Sequence, residues 1–130
     1  MTAEHILDAS ALIALLKAEP GAEMVAAAIG DARMSTVNLA EVVSHFAHLG
    51  MPAAAIDAML GPLPVVLVPA DAALARTAGQ LRALTASAGL SLGDRFCLAL
   101  ARLEGRPAWT ADRAWLDVAD AVGVEVRLIR

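Results

Sequence analysis

The sequence holds a single cysteine, Cys97, so no disulfide can form within the chain. No apolar run approaches the roughly 20 uninterrupted residues that a bilayer span requires. The first residues, Met1-Thr2-Ala3-Glu4-His5, lack the basic region and long apolar stretch of a secretory signal. These absences exclude a disulfide scaffold and a membrane helix, and lead us to expect a cytoplasmic protein that does not engage a membrane. Lysine is almost missing as well, because Lys17 is the only one and every other basic residue is arginine. With a net charge of -4 and a pI near 5.2, the chain has no general basic coat for nucleic acid, so any phosphate binding must be local. Arginine offers phosphate a planar fork, although GC-rich codons would produce the same bias together with the abundant alanine.

What remains is rich in apolar residues, at 58%, much of it alanine. At 130 residues the chain fits one compact domain spanning 1–130, which can bury roughly two thirds of its unfolded surface. A short apolar segment at 5–7 runs into Asp8 and then a helical pattern at 11–16, which reads as strand, capped turn and helix. Helices are expected at 22–29, 39–49, 52–60, 70–88, 91–103 and 113–121, several of them closed by glycine, and the one at 91–103 is expected to carry Phe96, Leu100 and Leu103 on one side. Strands are expected at 33–36, 65–68, 107–110 and 124–128. The run Val65-Val66-Leu67-Val68 between two prolines reads as a strand buried on both faces. Strands and helices alternate without repeat or linker, which implies an α/β fold with a mainly parallel central sheet of about five strands flanked by helices.

In such sheets ligands bind beyond the carboxyl ends of the strands. Asp8 ends the first strand and Asp112 the fourth, while Glu41 and Asp94 lie near the starts of the helices at 39–49 and 91–103. Each acid has an ordinary explanation as a helix cap or dipole partner. Ser91 to Asp94 and Asn38 to Glu41 both match a capping box. Together, however, four acids at one sheet edge repel one another, and a cation is the usual reason a fold tolerates that. An all-oxygen donor set suits Mg²⁺ or Mn²⁺ better than zinc.

The segments Ile6-Leu7-Asp8-Ala9-Ser10-Ala11-Leu12-Ile13-Ala14-Leu15, Asn38-Leu39-Ala40-Glu41-Val42, Leu92-Gly93-Asp94 and Thr110-Ala111-Asp112 resemble, in that order, a PIN domain. More narrowly they are similar to the VapC-type toxins of bacterial and archaeal toxin–antitoxin pairs, and the resemblance covers the whole chain. It implies a PIN-like fold and a metal-dependent endoribonuclease in which Asp8, Glu41, Asp94 and Asp112 hold one or two Mg²⁺ or Mn²⁺ ions. It also implies RNA as substrate, 5′-phosphate and 3′-hydroxyl products, a small cognate antitoxin as partner, and a homodimer. Ser10 and Thr110 match hydroxyl positions that orient a ligand in the family, with helix capping as the equal alternative.

Other residues carry weaker signals. Asp117 is a further candidate acid, but its spacing from Arg113 is that of a surface ion pair on a helix. Arg95 and Arg113 each follow one of the four acids and are candidate phosphate contacts, although an adjacent helical residue points well away from its neighbour. His45 lies one turn beyond Glu41 and reads as solvated or peripheral, and Cys97 as a small buried hydrophobe. A receiver-like domain, with Asp71 as phosphoacceptor, would need a lysine near the last strand and an acid pair after the first, where this chain has Ala9. A haloacid-dehalogenase-like phosphatase would need an aspartate where Ser10 stands. The remaining alternative is a PIN-like module that binds RNA or protein without cleaving, which would have no need of four intact acids.

Overall fold

The computed structural model describes residues 3–130; Met1 and Thr2, which begin the N-terminal run read above, lie outside it. In chain order the elements are β1 (His5–Leu7), α1 (Ala9–Leu16), α2 (Ala22–Ala28), β2 (Ala32–Ser35), α3 (Thr36–His48), α4 (Ala53–Leu60), β3 (Val66–Val68), α5 (Ala72–Gln80), α6 (Arg82–Thr85), α7 (Leu92–Glu104), β4 (Ala108–Thr110), α8 (Ala119–Val122) and β5 (Val126–Leu128). The strands form one sheet in the order β3-β2-β1-β4-β5, and every pairing is parallel. After β1 the chain builds outward through β2 and β3, then returns to place β4 on the other side of β1. The order therefore reverses between β1 and β4, where α/β sheets open a crevice for ligands.

Alternation along the short strands sends successive side chains to opposite faces. Ile6 and Ala108 pack with Leu74, Phe96, Cys97, Leu100 and Trp115 on one face. Leu7, Met34 and Trp109 pack with Leu12, Val25, Val42 and Phe46 on the other. The helix α7 is the most deeply set, buried continuously from Phe96 to Ala101. Its far end is tied to β2 by a forked pair in which Arg33 Nε and Nη2 donate to Glu104 at 2.6 and 3.0 Å. Two-point geometry fixes direction as well as distance, so the opposite end of α7, which carries Asp94, is held in register with the sheet. Among the described residues no helix is long and apolar enough to cross a membrane.

Four local expectations are corrected. The strand expected to be buried on both faces is an edge strand with β2 as its one neighbour, and Val66 and Leu67 remain 50% and 46% exposed. Leu67 and the neighbouring Val65 border an apolar groove of about 430 Å³ with Leu12, Leu39, Val43 and Leu60. The single helix expected over 70–88 is broken into α5, α6 and a 3₁₀ turn at Ala86–Ala88. Here the buried Thr85 hydroxyl donates to Leu81 O at 2.9 Å, a back-bond of the kind that bends helices. The helix expected over 113–121 is instead a 3₁₀ segment, Arg113–Asp117, followed by the four-residue α8; the tighter winding accompanies the complete burial of Trp115. Leu103, expected on the same side as Phe96 and Leu100, is 55% exposed because α7 outruns the core it covers.

Candidate active site

The centre of the site is Asp8, which caps α1 immediately after β1 and is only 3% exposed. Its carboxylate accepts the Ala11 N–H at 2.8 Å and the Thr110 hydroxyl at 2.6 Å, while the Ser10 hydroxyl stands 2.8 Å from both oxygens. Those hydroxyls also accept: Ser10 Oγ from Ala111 N and Thr110 Oγ1 from Asp112 N, each at 3.0 Å. Neither is a helix cap, since Ser10 lies within α1 and Thr110 ends β4. They join the start of α1 to the loop after β4 and thereby fix Asp112 beside Asp8.

Burial pushes the Asp8 carboxyl up from 3.8 to about 6, against the pull of its three donors, and the charge of Asp94 adds to the rise. Burial likewise raises Glu41 and Asp94; Asp94 repels Glu41, and Asp112 repels Asp94. The four acids of the sequence reading thus share one electrostatic neighbourhood, with Asp94 felt by the two others that are buried or half-buried. Cys97 lies beneath them: its thiol is raised well above its ordinary value by burial and then by Asp8, Asp94 and Glu41.

Capping and clustering coexist. Asp94 Oδ2 accepts the Ser91 N–H at 2.9 Å while Ser91 Oγ accepts the Asp94 N–H, a complete capping box. Asp112 Oδ1 accepts the Ala114 N–H at 2.9 Å. Each cap occupies one carboxylate oxygen and leaves the other available. The capping box expected from Asn38 to Glu41 does not form, because α3 begins earlier, capped by the Ser35 hydroxyl on Val37 N at 3.1 Å. Asn38 instead sits fully buried within the helix, and its amide donates to Glu41 Oε1 at 2.8 Å and to Gly93 O at 2.9 Å. One side chain therefore locks the acid of α3 to the first turn of α7.

Gly93 completes that lock, since a Cβ at this position would collide with the Glu41 carboxylate. The sequence reading missed both roles. The available signals were a helix-interior asparagine and a glycine in the first turn of a helix, two residues with poor helix propensity where structure gains nothing from them.

The peripheral candidates separate. Arg95 is half-buried and attracts Asp94, and its buried Nε–H has no partner among the described residues. Arg113 and Asp117 are exposed and form no ion pair with each other among the described residues. In a 3₁₀ turn residues three apart eclipse and residues four apart do not, which removes the expected pair. Neither is among the charges acting on Asp8, Glu41 or Asp94.

A family model described as PIN domain matches residues 5–121. The chain belongs to the PIN-domain family. Within that family it is 33% identical over 118 residues to Ribonuclease VapC of Mycolicibacterium smegmatis, covering 78% of this chain and 86% of that protein. The PIN fold is also seen in solved structures. A DNA-bound VapBC from Salmonella typhimurium superposes with a TM-score of 0.78 at 18% identity, covering 99% of this chain and 100% of that one. VapBC-5 from Mycobacterium tuberculosis gives 0.61 at 24% identity, with 99% of each chain covered. At such identities the likeness is one of fold, and it agrees with the five-stranded parallel sheet described above.

The donor set of this PIN domain fits a hard divalent ion. No group of three His, Cys, Asp or Glu side chains among the described residues is drawn together tightly enough to chelate an ion by itself. Mg²⁺ does not require such a cage, because it usually keeps several waters and takes one or two carboxylates. Free oxygens on Asp94 and Asp112, beside a buried Asp8, provide that kind of site.

Proposed function

We propose that this chain is a metal-dependent endoribonuclease acting in the cytoplasm as the toxin of a type II toxin–antitoxin pair. Asp8, Glu41, Asp94 and Asp112 hold Mg²⁺ or Mn²⁺. The observation that carries the reading is Asp8, a carboxylate almost wholly buried yet coupled to a second acid at the switch point of the sheet. A fold gains nothing from that burial unless a positive charge comes to it. The relative at 33% identity is named a ribonuclease, and the solved neighbours include toxin–antitoxin complexes, which supports RNA as substrate and a small antitoxin as partner. A second copy of the chain is the remaining partner in this reading.

A bound divalent ion would supply Lewis acidity, making an attacking water available near neutral pH and offsetting charge on the scissile phosphate. The residues set the stage for it. Ser10 and Thr110 keep Asp8 oriented and keep the loop bearing Asp112 against it. Asn38 holds Glu41 toward Asp94's helix rather than toward solvent. Arg95, with an unpartnered N–H, and the exposed Arg113 are the phosphate contacts nearest in sequence to the acids.

The reading requires that single-stranded or loop RNA be cut in Mg²⁺ or Mn²⁺ to products bearing 5′-phosphate and 3′-hydroxyl ends. A chelator should abolish cleavage and added metal restore it. A non-cleaving PIN module would bind RNA and leave it intact under both conditions, and that result would replace the enzyme with a binding protein.

A further inference from the structure

Below Glu41, the exposed side of α3 carries Ser44, His45 and His48 along an open trough of about 580 Å³, floored by Val37 and Ala40. Residues spaced by three, four and seven share one helical face, so these side chains form a single stripe starting at the acid site. The chain's only lysine reaches the stripe from the end of α1: Lys17 Nζ lies 3.4 Å from His45 Nε2. An ammonium can only donate, so the imidazole nitrogen accepts. Among the described residues Lys17 pairs with one carboxylate, Glu19 at 3.8 Å, and both side chains are about one third exposed, so this pair holds it only weakly.

We propose that this stripe is a binding track for the RNA strand flanking the cut, in which Lys17, His45, His48 and Ser44 hold phosphate oxygens of neighbouring nucleotides. The inference rests on the ribonuclease reading above. A strand entering a cluster of acids on a chain of charge -4 meets repulsion and needs local cations and N–H donors close by. Lysine, imidazole and hydroxyl donors are the side chains that grip phosphate oxygens without reading bases. From Glu41 to His48 the helix rises about 10 Å, the length of roughly three stacked nucleotides at 3.4 Å each. The apolar floor gives sugars and bases a surface to lie on.

The test measures binding of a labelled single-stranded RNA oligomer to the full chain in chelator, by fluorescence anisotropy over a range of salt. Lys17→Gln should weaken binding several-fold for every RNA sequence and lower the slope of log affinity against log salt by about 0.7. His45→Gln and His48→Gln should weaken binding with little change of slope, and the triple variant should lose at least tenfold. In single-turnover cleavage with Mg²⁺ the half-saturating protein concentration should rise while the maximal rate holds. Arg106→Gln, an exposed charge at the opposite edge of the sheet, is the matched control. A triple variant that binds like wild type, or loses no more than Arg106→Gln, overturns the track. So does one that keeps its RNA affinity but fails to self-associate in light scattering, which would give the stripe to a second copy. In each of these cases metal-dependent cleavage by wild type would leave the ribonuclease reading standing. A wild type that neither binds nor cuts RNA overturns both.

Discussion

Asp8→Asn is expected to abolish RNA cleavage and, without metal, to make the protein more stable. Asparagine caps a helix about as well as aspartate, and its amide can still meet the Ser10 and Thr110 hydroxyls, which both donate and accept. What the substitution removes is a buried negative charge. The Asp8 carboxyl titrates at about 6 in the folded chain against 3.8 ordinarily, so the folded state holds its proton more tightly than the unfolded state does. Stability therefore declines as pH rises between those values, and the full cost is present above them. That difference corresponds to about 3 kcal/mol. Urea unfolding in chelator should show the variant ahead of wild type by on the order of 1 to 3 kcal/mol at pH 7.5, with the gap closing near pH 4. Millimolar Mg²⁺ should restore wild type and leave the variant unmoved. A variant that is less stable than wild type at pH 7.5 in chelator would mean that the carboxylate supports the fold, and the clustered-acid account would lose its physical basis.

Gly93→Ala should separate activity from stability in the opposite way. Alanine is the better helix former by up to about 1 kcal/mol, and the atoms a new Cβ meets belong to the mobile end of the Glu41 side chain rather than to backbone. The helix can thus accept the methyl group by expelling the Glu41 carboxylate from its seat and breaking its contact with Asn38. Unfolding free energy should change by less than about 1 kcal/mol. The rate of RNA cleavage should fall about 100-fold, as expected when a group at the reacting centre is displaced by about 1 Å. Rescue is not expected from higher metal concentration, because the ligand has moved. Full activity in this variant would show that Glu41 does not work from the position held by Asn38.

Most of the fold could be read from local signals, because β1, β2 and β4 run almost directly into helix caps. Asp8 and Asp112 stand at a strand end and cap the turn that follows, and Ser91 with Asp94 forms the expected reciprocal box. Those positions are set by nearest neighbours in the chain. The misreadings share another origin. Whether Val66 and Leu67 are covered depends on which strand has neighbours on both sides, a property of sheet order that a run of four apolar residues does not encode. Asn38 looked like a cap because its spacing to Glu41 is that of a box; it does meet Glu41, but side chain to side chain, and its other partner, Gly93, is 55 residues away and reached only through the packing of α3 on α7. The pair of Arg113 and Asp117 was lost to a change of helical pitch beneath the buried Trp115.

The claim that the acids form a metal site is tested most directly by calorimetric titration of the metal-free wild type and Asp94→Asn with Mn²⁺ at pH 6, in two buffers of different ionisation enthalpy. Asp8 is partly protonated at that pH, so metal uptake must displace a proton. The account predicts saturable binding by wild type with a heat that depends on the buffer, and affinity at least tenfold weaker in Asp94→Asn. Absence of saturable binding, or equal affinity in the two proteins, would contradict it.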